Sequence, residues 1–365
     1  MSDTQKKQGR LASLDTLRGF DMFWIMGGDG LSLALAAATG WPILRWWAVQ
    51  VEHVEWHGFH FYDMVFPLFL FVAGISFPFS VRHRMNDRKA LVLHILRRGL
   101  TLVVLGIIYN NAIRFNFSEM RFPSVLGRIG LAWMFAGLIW IYIKPKWRIP
   151  VVAGILLIYW ALLDFFHLPG HDAYSMEGSL AGVVDRAVMP GRLYLGMHDP
   201  EGLLGVIPAI ATALMGMFTG KAVLLTERQQ FGRLALLLAT TGILLFAAGW
   251  LWNFLMPVNK NLWTSSFVLV AGGMSMLLFA AFFWIIDVRG WQKWSFPFRI
   301  IGMNAIAIYM GQRIFDLGKT ADFLFGGVTA LASAQWKPVM DASFYALTCW
   351  IILYFLYRYK IFIKV

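Results

Sequence analysis

The segment EHVEWHGFHFYDMVFP, residues 52–67, places three of the chain's eight histidines at 53, 57 and 60, just ahead of a long apolar run. Histidine titrates near neutrality, so the cluster suits proton transfer, nucleophilic catalysis or metal ligation. As metal ligands the three would stand at i, i+4 and i+7 on a helix face. Gly58 interrupts that helix, no cysteine is near, and the H-E-x-x-H pattern is absent, so no metal is expected. The plain alternative is a set of interfacial side chains that bridge headgroups and water.

Other polar groups stand in or beside apolar runs. Asp15, Arg18, Asp21 and Asp29 fall in the first such run, and Asp63 opens the second. An ionisable group at membrane depth is costly, which makes each a functional candidate. Asp15 and Arg18 are three residues apart and can pair on a helix. Asp29 lies in GGDG, where small residues let the backbone approach a ligand. HDPEG at 198–202 sets Asp199 and Glu201 beside His198, and PVNKNLW at 257–263 sets Asn259 and Lys260 between two apolar runs. Either stretch also reads as a simple turn. Asn304, in GMNAIAIYM, is suited to a hydrogen bond between helices. Arg18 and Arg128 suit bidentate phosphate contacts, with helix pairing as the structural alternative.

The elements that must position these residues are membrane helices. The chain is 59% hydrophobic and 14% charged, against roughly 25% charged in soluble domains. That much apolar surface exceeds what one globular core hides, and runs of membrane-spanning length recur along the chain. The reading is an all-α polytopic membrane protein forming a single integral-membrane domain over 1–365. About ten spans are expected, near 16–38, 63–81, 91–109, 124–143, 149–166, 202–220, 234–255, 264–286, 300–317 and 340–357. Of the 32 Lys and Arg residues, 21 fall in one alternate set of connectors and nine in the other. The positive-inside rule then puts both termini in the cytoplasm, with 1–13 as a cytoplasmic tail. Connectors 39–62 and 167–201, on the opposite side, are the ones long enough to build a site. The net charge of +12 is absorbed by this asymmetry and calls for no nucleic-acid partner. The single cysteine, Cys349, permits no intrachain disulfide. The charges at 15, 18, 21 and 29 argue against a cleaved signal peptide.

Five stretches in order carry a family likeness: SLDTLRG at 13–19, HVEWHGFHFYDMVFPLFLFVAGIS at 53–76, HDPEGLLGVIPAI at 198–210, PVNKNLWTSSFVL at 257–269 and GMNAIAIYM at 302–310. Together they resemble the membrane domain of heparan-α-glucosaminide N-acetyltransferases and their bacterial relatives. The resemblance implies an enzyme of the bacterial inner membrane. It implies transfer of acetyl from cytoplasmic acetyl-CoA, the cosubstrate, to the amine of a glucosamine-type sugar on the far side. On the matched positions His53 is the catalytic histidine, as general base or as acetyl carrier, and Asp15 and Arg18 are the family's L-D-x-x-R-G pair. Asp15 or Asp29 would orient the imidazole. Arg18, Arg128 and Asn304 would hold the cofactor, and His57, Asp63, Asp199, Glu201, Asn259 and Lys260 the acceptor. The chain departs from the pattern at His57 and Asp29, where asparagine is usual, and at Gly127, where glutamine is. Those changes bear on acceptor identity. A homodimer is compatible with this reading. The rival class is a proton-coupled secondary transporter of a small polar solute, which intramembrane Asp and Arg would serve; the chain shows no internal repeat of the kind many transporters have.

Overall fold

The computed structural model describes residues 11–82, 87–111 and 119–363. Most of the expected cytoplasmic tail, together with His83 and Arg114, lies outside the described residues. The helices, in order, are α1 (Ala12–Phe23), α2 (Asp29–Thr39), α3 (Pro42–Gln50), α4 (Val65–Val81), α5 (Arg88–Asn110), α6 (Val125–Tyr142), α7 (Arg148–Phe165) and α8 (Leu180–Val188). They continue as α9 (Val206–Leu225), α10 (Phe231–Trp252), α11 (Ser265–Phe283), α12 (Phe296–Met303), α13 (Ala305–Ile314), α14 (Leu317–Thr329) and α15 (Lys337–Arg358). Among the described residues nine helical segments are long and apolar enough to cross a membrane. The first, Ala12–Thr39, runs through α1 and α2 across a π-helical turn at Trp24–Gly28, where Gly27 takes φ +115°. The tenth expected span, 300–317, is not one helix. It is divided at Asn304 into α12 and α13, because that residue leaves helical geometry (φ −131°, ψ 33°).

The centre is α4, α9 and α11. Every large apolar residue from Phe71 to Phe77 on α4 is buried, and Phe267, Phe279 and Phe283 of α11 pack into the same core. Small residues let these helices touch backbone to backbone. A Cβ on Gly74 of α4 would overlap the Ala213 carbonyl of α9, and one on Gly216 would overlap that of Phe71. The same device joins α1 to α12, where Gly19 and Gly302 face the carbonyls of Phe298 and Asp15. Close small-residue contacts of this kind replace the hydrophobic drive that lipid does not supply. The lipid boundary is read from apolar side chains turned outward on the peripheral helices, such as Leu93 of α5, Ile158 of α7, Leu244 of α10 and Phe355 of α15. Helix starts that meet the connectors are capped: the hydroxyls of Ser124, Ser179 and Thr264 accept the N–H groups of Gly127, Gly182 and Phe267.

Candidate active site

Three connectors converge at the start of α4. Residues 51–60 are fixed by the Gly58 N–H, which donates to the Val258 carbonyl at 2.8 Å, and by the Trp56 indole, which donates to the Tyr174 carbonyl at 2.8 Å. The fold brings Gly58 through this turn at φ +121°, a value that favours glycine. The three histidines separate in consequence. His53 Nδ1 lies 2.7 Å from Asp63 Oδ1, His57 Nδ1 lies 3.3 Å from Asn259 Nδ2, and His60 Nδ1 lies 3.0 Å from the Glu52 carbonyl oxygen. They do not converge on a shared point.

Asp63 is the organiser. It is 1% exposed, and its second oxygen accepts the His60 N–H at 3.0 Å. A carboxylate on Nδ1 fixes the tautomer with the proton there and leaves Nε2 as the basic nitrogen. Lys260 Nζ lies 3.0 Å from both ring nitrogens of His53 and 3.6 Å from Asp63 Oδ1. Burial lowers the Lys260 pKa, and the nearby Asp63 only partly offsets it. The Tyr62 ring packs 4.8 Å from the imidazole and its hydroxyl donates to Asp29 Oδ2 at 3.1 Å. Of the three carboxylates Asp63 is the one in contact with the imidazole, and Asp29 contacts Tyr62.

His53, Tyr62, Glu201 and Lys260 line a cavity of about 460 Å³ whose other wall residues include Arg18, Arg98, Met303 and Ile363. Arg18 donates to the Ser76 hydroxyl at 3.0 Å. Ser76 is 11 residues along α4 from Val65, roughly 17 Å at 1.5 Å per residue. The cavity thus joins groups about two-thirds of the length of α4 apart, through walls of Phe66, Phe69, Ile129 and Trp133. Asp15 lies at the Arg18 end, 3.4 Å from its guanidinium.

The remaining expected residues sit around this cavity. Arg121 clasps Asp199 at 2.8 and 2.6 Å and also contacts Glu201, which carries the pair into the wall. Burial pushes Asp199 up, but the Arg121 hydrogen bonds outweigh it and hold the group below the usual carboxylate range. Arg128 does not line the cavity. It is buried under the 198–205 connector, where its guanidinium donates to the Gly202 carbonyl at 2.8 Å and stands over the Trp263 ring. Beside it His198 Nδ1 and Asp185 Oδ2 lie 4.0 Å apart, both side chains 1% exposed. Burial lowers His198 to about 4 and raises Asp185 to about 6. Asn259 shapes its turn by accepting the Leu262 N–H at 2.8 Å. Asn304 binds the end of the chain: its amide donates to the Ile361 carbonyl at 3.0 Å and accepts the Ile363 N–H at 2.9 Å.

Tyr62, Arg98 and Arg121 were not among the expected site residues. Tyr62 adjoins Asp63 in the histidine segment. Arg98 lies ten residues into α5, with its guanidinium 4.5 Å over the Trp133 ring. An arginine inside an apolar run was the available signal. No local pattern around Arg121 points to a site.

No family model matches the chain. Over its whole length the chain is similar to the heparan-alpha-glucosaminide N-acetyltransferase of Mus musculus, 25% identical across 430 residues, and to that of Homo sapiens, 25% identical across 426. It spans 63% and 62% of the length of these two curated relatives.

Proposed function

We propose that the chain is a membrane-embedded acetyltransferase that moves an acetyl group from acetyl-CoA, entering at the Arg18 end, to the amine of a glucosamine-type sugar at the His53 end. The observation that carries this reading is one cavity with a carboxylate–imidazole–lysine group at one end and two arginines at the other. The relatives' names supply the reaction class. The termini and the Arg18 end face the cytoplasm, in line with the basic connectors.

Arg18 and Arg98 attract the anionic part of the donor, and the thioester extends between the apolar walls toward His53. There the acceptor nitrogen bonds to the acetyl carbon, the C–S bond breaks, and the amine proton leaves for the thiolate by way of His53 Nε2. The same nitrogen serves if the acetyl group first rests on His53. Asp63 stabilises the imidazolium that forms. Lys260, as ammonium, faces the charge that develops on the carbonyl oxygen.

The test is transfer from labelled acetyl-CoA to glucosamine by the full chain in proteoliposomes. Wild type is expected to transfer label and His53→Ala to lose it. Equal activity removes His53 from the mechanism, and no transfer to any amino sugar removes the enzyme reading. Acid-quenched protein retaining label on a His53-containing peptide separates the acetyl-histidine route from direct attack.

A further inference from the structure

Among the described residues that wall the cavity, Lys260 carries the one primary amine. Its Nζ lies 3.0 Å from both ring nitrogens of His53, and the imidazole is held in turn by Asp63 at 2.7 Å. An attacking group beside a base, with the base oriented by a carboxylate, is the arrangement that activates a nucleophile. Lys319 and Lys337 are placed differently. Each pairs with a carboxylate on its own helix or at its start, Asp316 and Asp341, and their side chains are 84% and 50% exposed against 14% for Lys260.

The turn that carries Lys260 is pinned from several sides. The Trp263 N–H donates to the Lys260 carbonyl at 3.0 Å, and the Asn259 side chain accepts the Leu262 N–H at 2.8 Å. From α7 the Tyr159 hydroxyl donates to the Leu262 carbonyl at 2.6 Å, and His198 Nε2 donates to the Asn261 carbonyl at 3.0 Å. Trp263 takes φ +53°, a conformation that bulky residues rarely adopt, and its ring packs on Phe66 and Phe267. Local strain of this kind persists where the surroundings over-determine it. The Lys260 backbone is therefore fixed, and burial of the side chain leaves its amine little freedom to depart from the imidazole.

Resting on the transferase reading above, we propose that Lys260 is a site of self-acetylation, taking the acetyl group from the thioester when no acceptor amine is present. A thioester carbonyl within reach of His53 Nε2 is also within reach of Nζ, 3.0 Å from that nitrogen. Burial lowers the Lys260 pKa, which raises the neutral, nucleophilic fraction of the amine. Neutral Nζ bonds to the acetyl carbon, the C–S bond breaks, and the Nζ proton passes through His53 to the departing thiolate. The products are an ε-acetyl-lysine and a free thiol. That amide is too stable to pass its acetyl group to a second amine. It also removes the ammonium that faces the developing carbonyl charge and places an acetyl group inside the cavity. Donor without acceptor thus shuts the enzyme down, and the acceptor protects it by consuming the thioester first.

The test incubates the full chain in proteoliposomes with acetyl-CoA, with and without glucosamine, and locates acetyl groups by peptide mass spectrometry after hydroxylamine treatment. Hydroxylamine strips acyl-imidazoles and thioesters and leaves amides. With donor alone, Lys260 is expected to be acetylated roughly 10²-fold faster than Lys319 or Lys337, the lower end of what a positioned base contributes. Glucosamine should suppress that acetylation, and His53→Ala should bring Lys260 back toward the rate of the other two lysines. Transfer activity measured after the donor-only incubation should fall in proportion to Lys260 occupancy. Lys260→Arg keeps the charge without the acylable amine, so whatever activity it retains should survive the same incubation undiminished. Acetylation of Lys260 no faster than Lys319, with glucosamine acetylated, overturns the self-acetylation and leaves the transferase reading standing. Selective acetylation of Lys260 without transfer to any amino sugar supports the lysine site and overturns the acceptor proposed above. Full activity at high Lys260 occupancy overturns the shutdown, and acetyl groups on neither Lys260 nor any amino sugar overturn both proposals.

Discussion

Arg121→Leu is the substitution whose cost the structure defines best. The guanidinium is 13% exposed and meets two carboxylates that are 0% and 12% exposed. Leucine fills part of the volume but leaves both carboxylates uncompensated. Breaking a buried ion pair from one side costs roughly 3–5 kcal/mol, because the stranded charge keeps its desolvation penalty. Asp199 still accepts the N–H groups of Tyr194 and Glu201, both at 3.0 Å, so the lower end of that range applies. About 3 kcal/mol corresponds to a melting decrease on the order of 5 °C for a chain of this length. The assay is thermal unfolding in detergent followed by tryptophan fluorescence. Arg121→Lys should fall between the two, since an ammonium cannot reproduce the fork that holds Asp199. Asp199→Asn with Glu201→Gln, added to Arg121→Leu, should restore much of the loss by removing the stranded charges. A leucine variant melting within a degree of wild type would refute the argument, as would a triple variant no more stable than the single one.

Asp63→Asn keeps the size of the side chain but presents an amide where the His53 imidazole expects a carboxylate; acetyl transfer should fall roughly 10²–10⁴-fold, measured as kcat with acetyl-CoA saturating. Asp185 and His198 predict opposing pH effects on stability. Asp185, raised from 3.8 to about 6, is protonated in the folded state first, so its contribution to stability grows as pH falls between those values. His198, lowered from 6.5 to about 4, is protonated in the unfolded state first, so its contribution is lost as pH falls over that window. Each amounts to about 3 kcal/mol, and together they nearly cancel. Asp185→Asn should therefore melt progressively earlier than wild type from pH 6.5 to 4, and His198→Gln progressively later; parallel pH curves for all three proteins would exclude both shifts. Gly302→Val should drive α12 off α1, since its Cβ would overlap the Asp15 carbonyl; a loss of several kcal/mol is expected from overpacking plus backbone displacement, read as reduced melting temperature and monodisperse yield.

Much of the architecture was legible because lipid solvent makes hydropathy and length sufficient: nine of the expected spans correspond to single apolar helical segments. The break at Asn304 was not. Hydropathy runs evenly through it, and what holds the amide is backbone from residues 361 and 363, 57 and 59 positions away. The placement of His53 followed from its local segment, since its carboxylate partner is only ten residues on. Choosing Asp63 over Asp15 or Asp29 required knowing how residues 51–60 double back, and that turn is set by Val258 and Tyr174 in two other connectors. Lys260 is 207 positions from His53, so the sequence names it as polar at a helix junction and not as the neighbour of Nε2. Arg128 shows the converse limit. An arginine at a span start looks the same whether it grips a ligand or, as here, the Gly202 carbonyl.

The charge layout also explains how the proposed reaction avoids carrying an ion through the bilayer. Moving a phosphate or an ammonium across apolar walls incurs the large desolvation cost of a bare charge. Between its ends the cavity is walled by Phe66, Phe69 and Ile129, which offer a charge no hydrogen bond. In the proposed reaction Arg18 and Arg98 keep the donor's anionic part at one end, and Asp63 keeps the Lys260 ammonium at the other. Only an uncharged thioester has to enter the apolar stretch. The acceptor amine gives up its proton at His53 and is neutral where it meets that thioester.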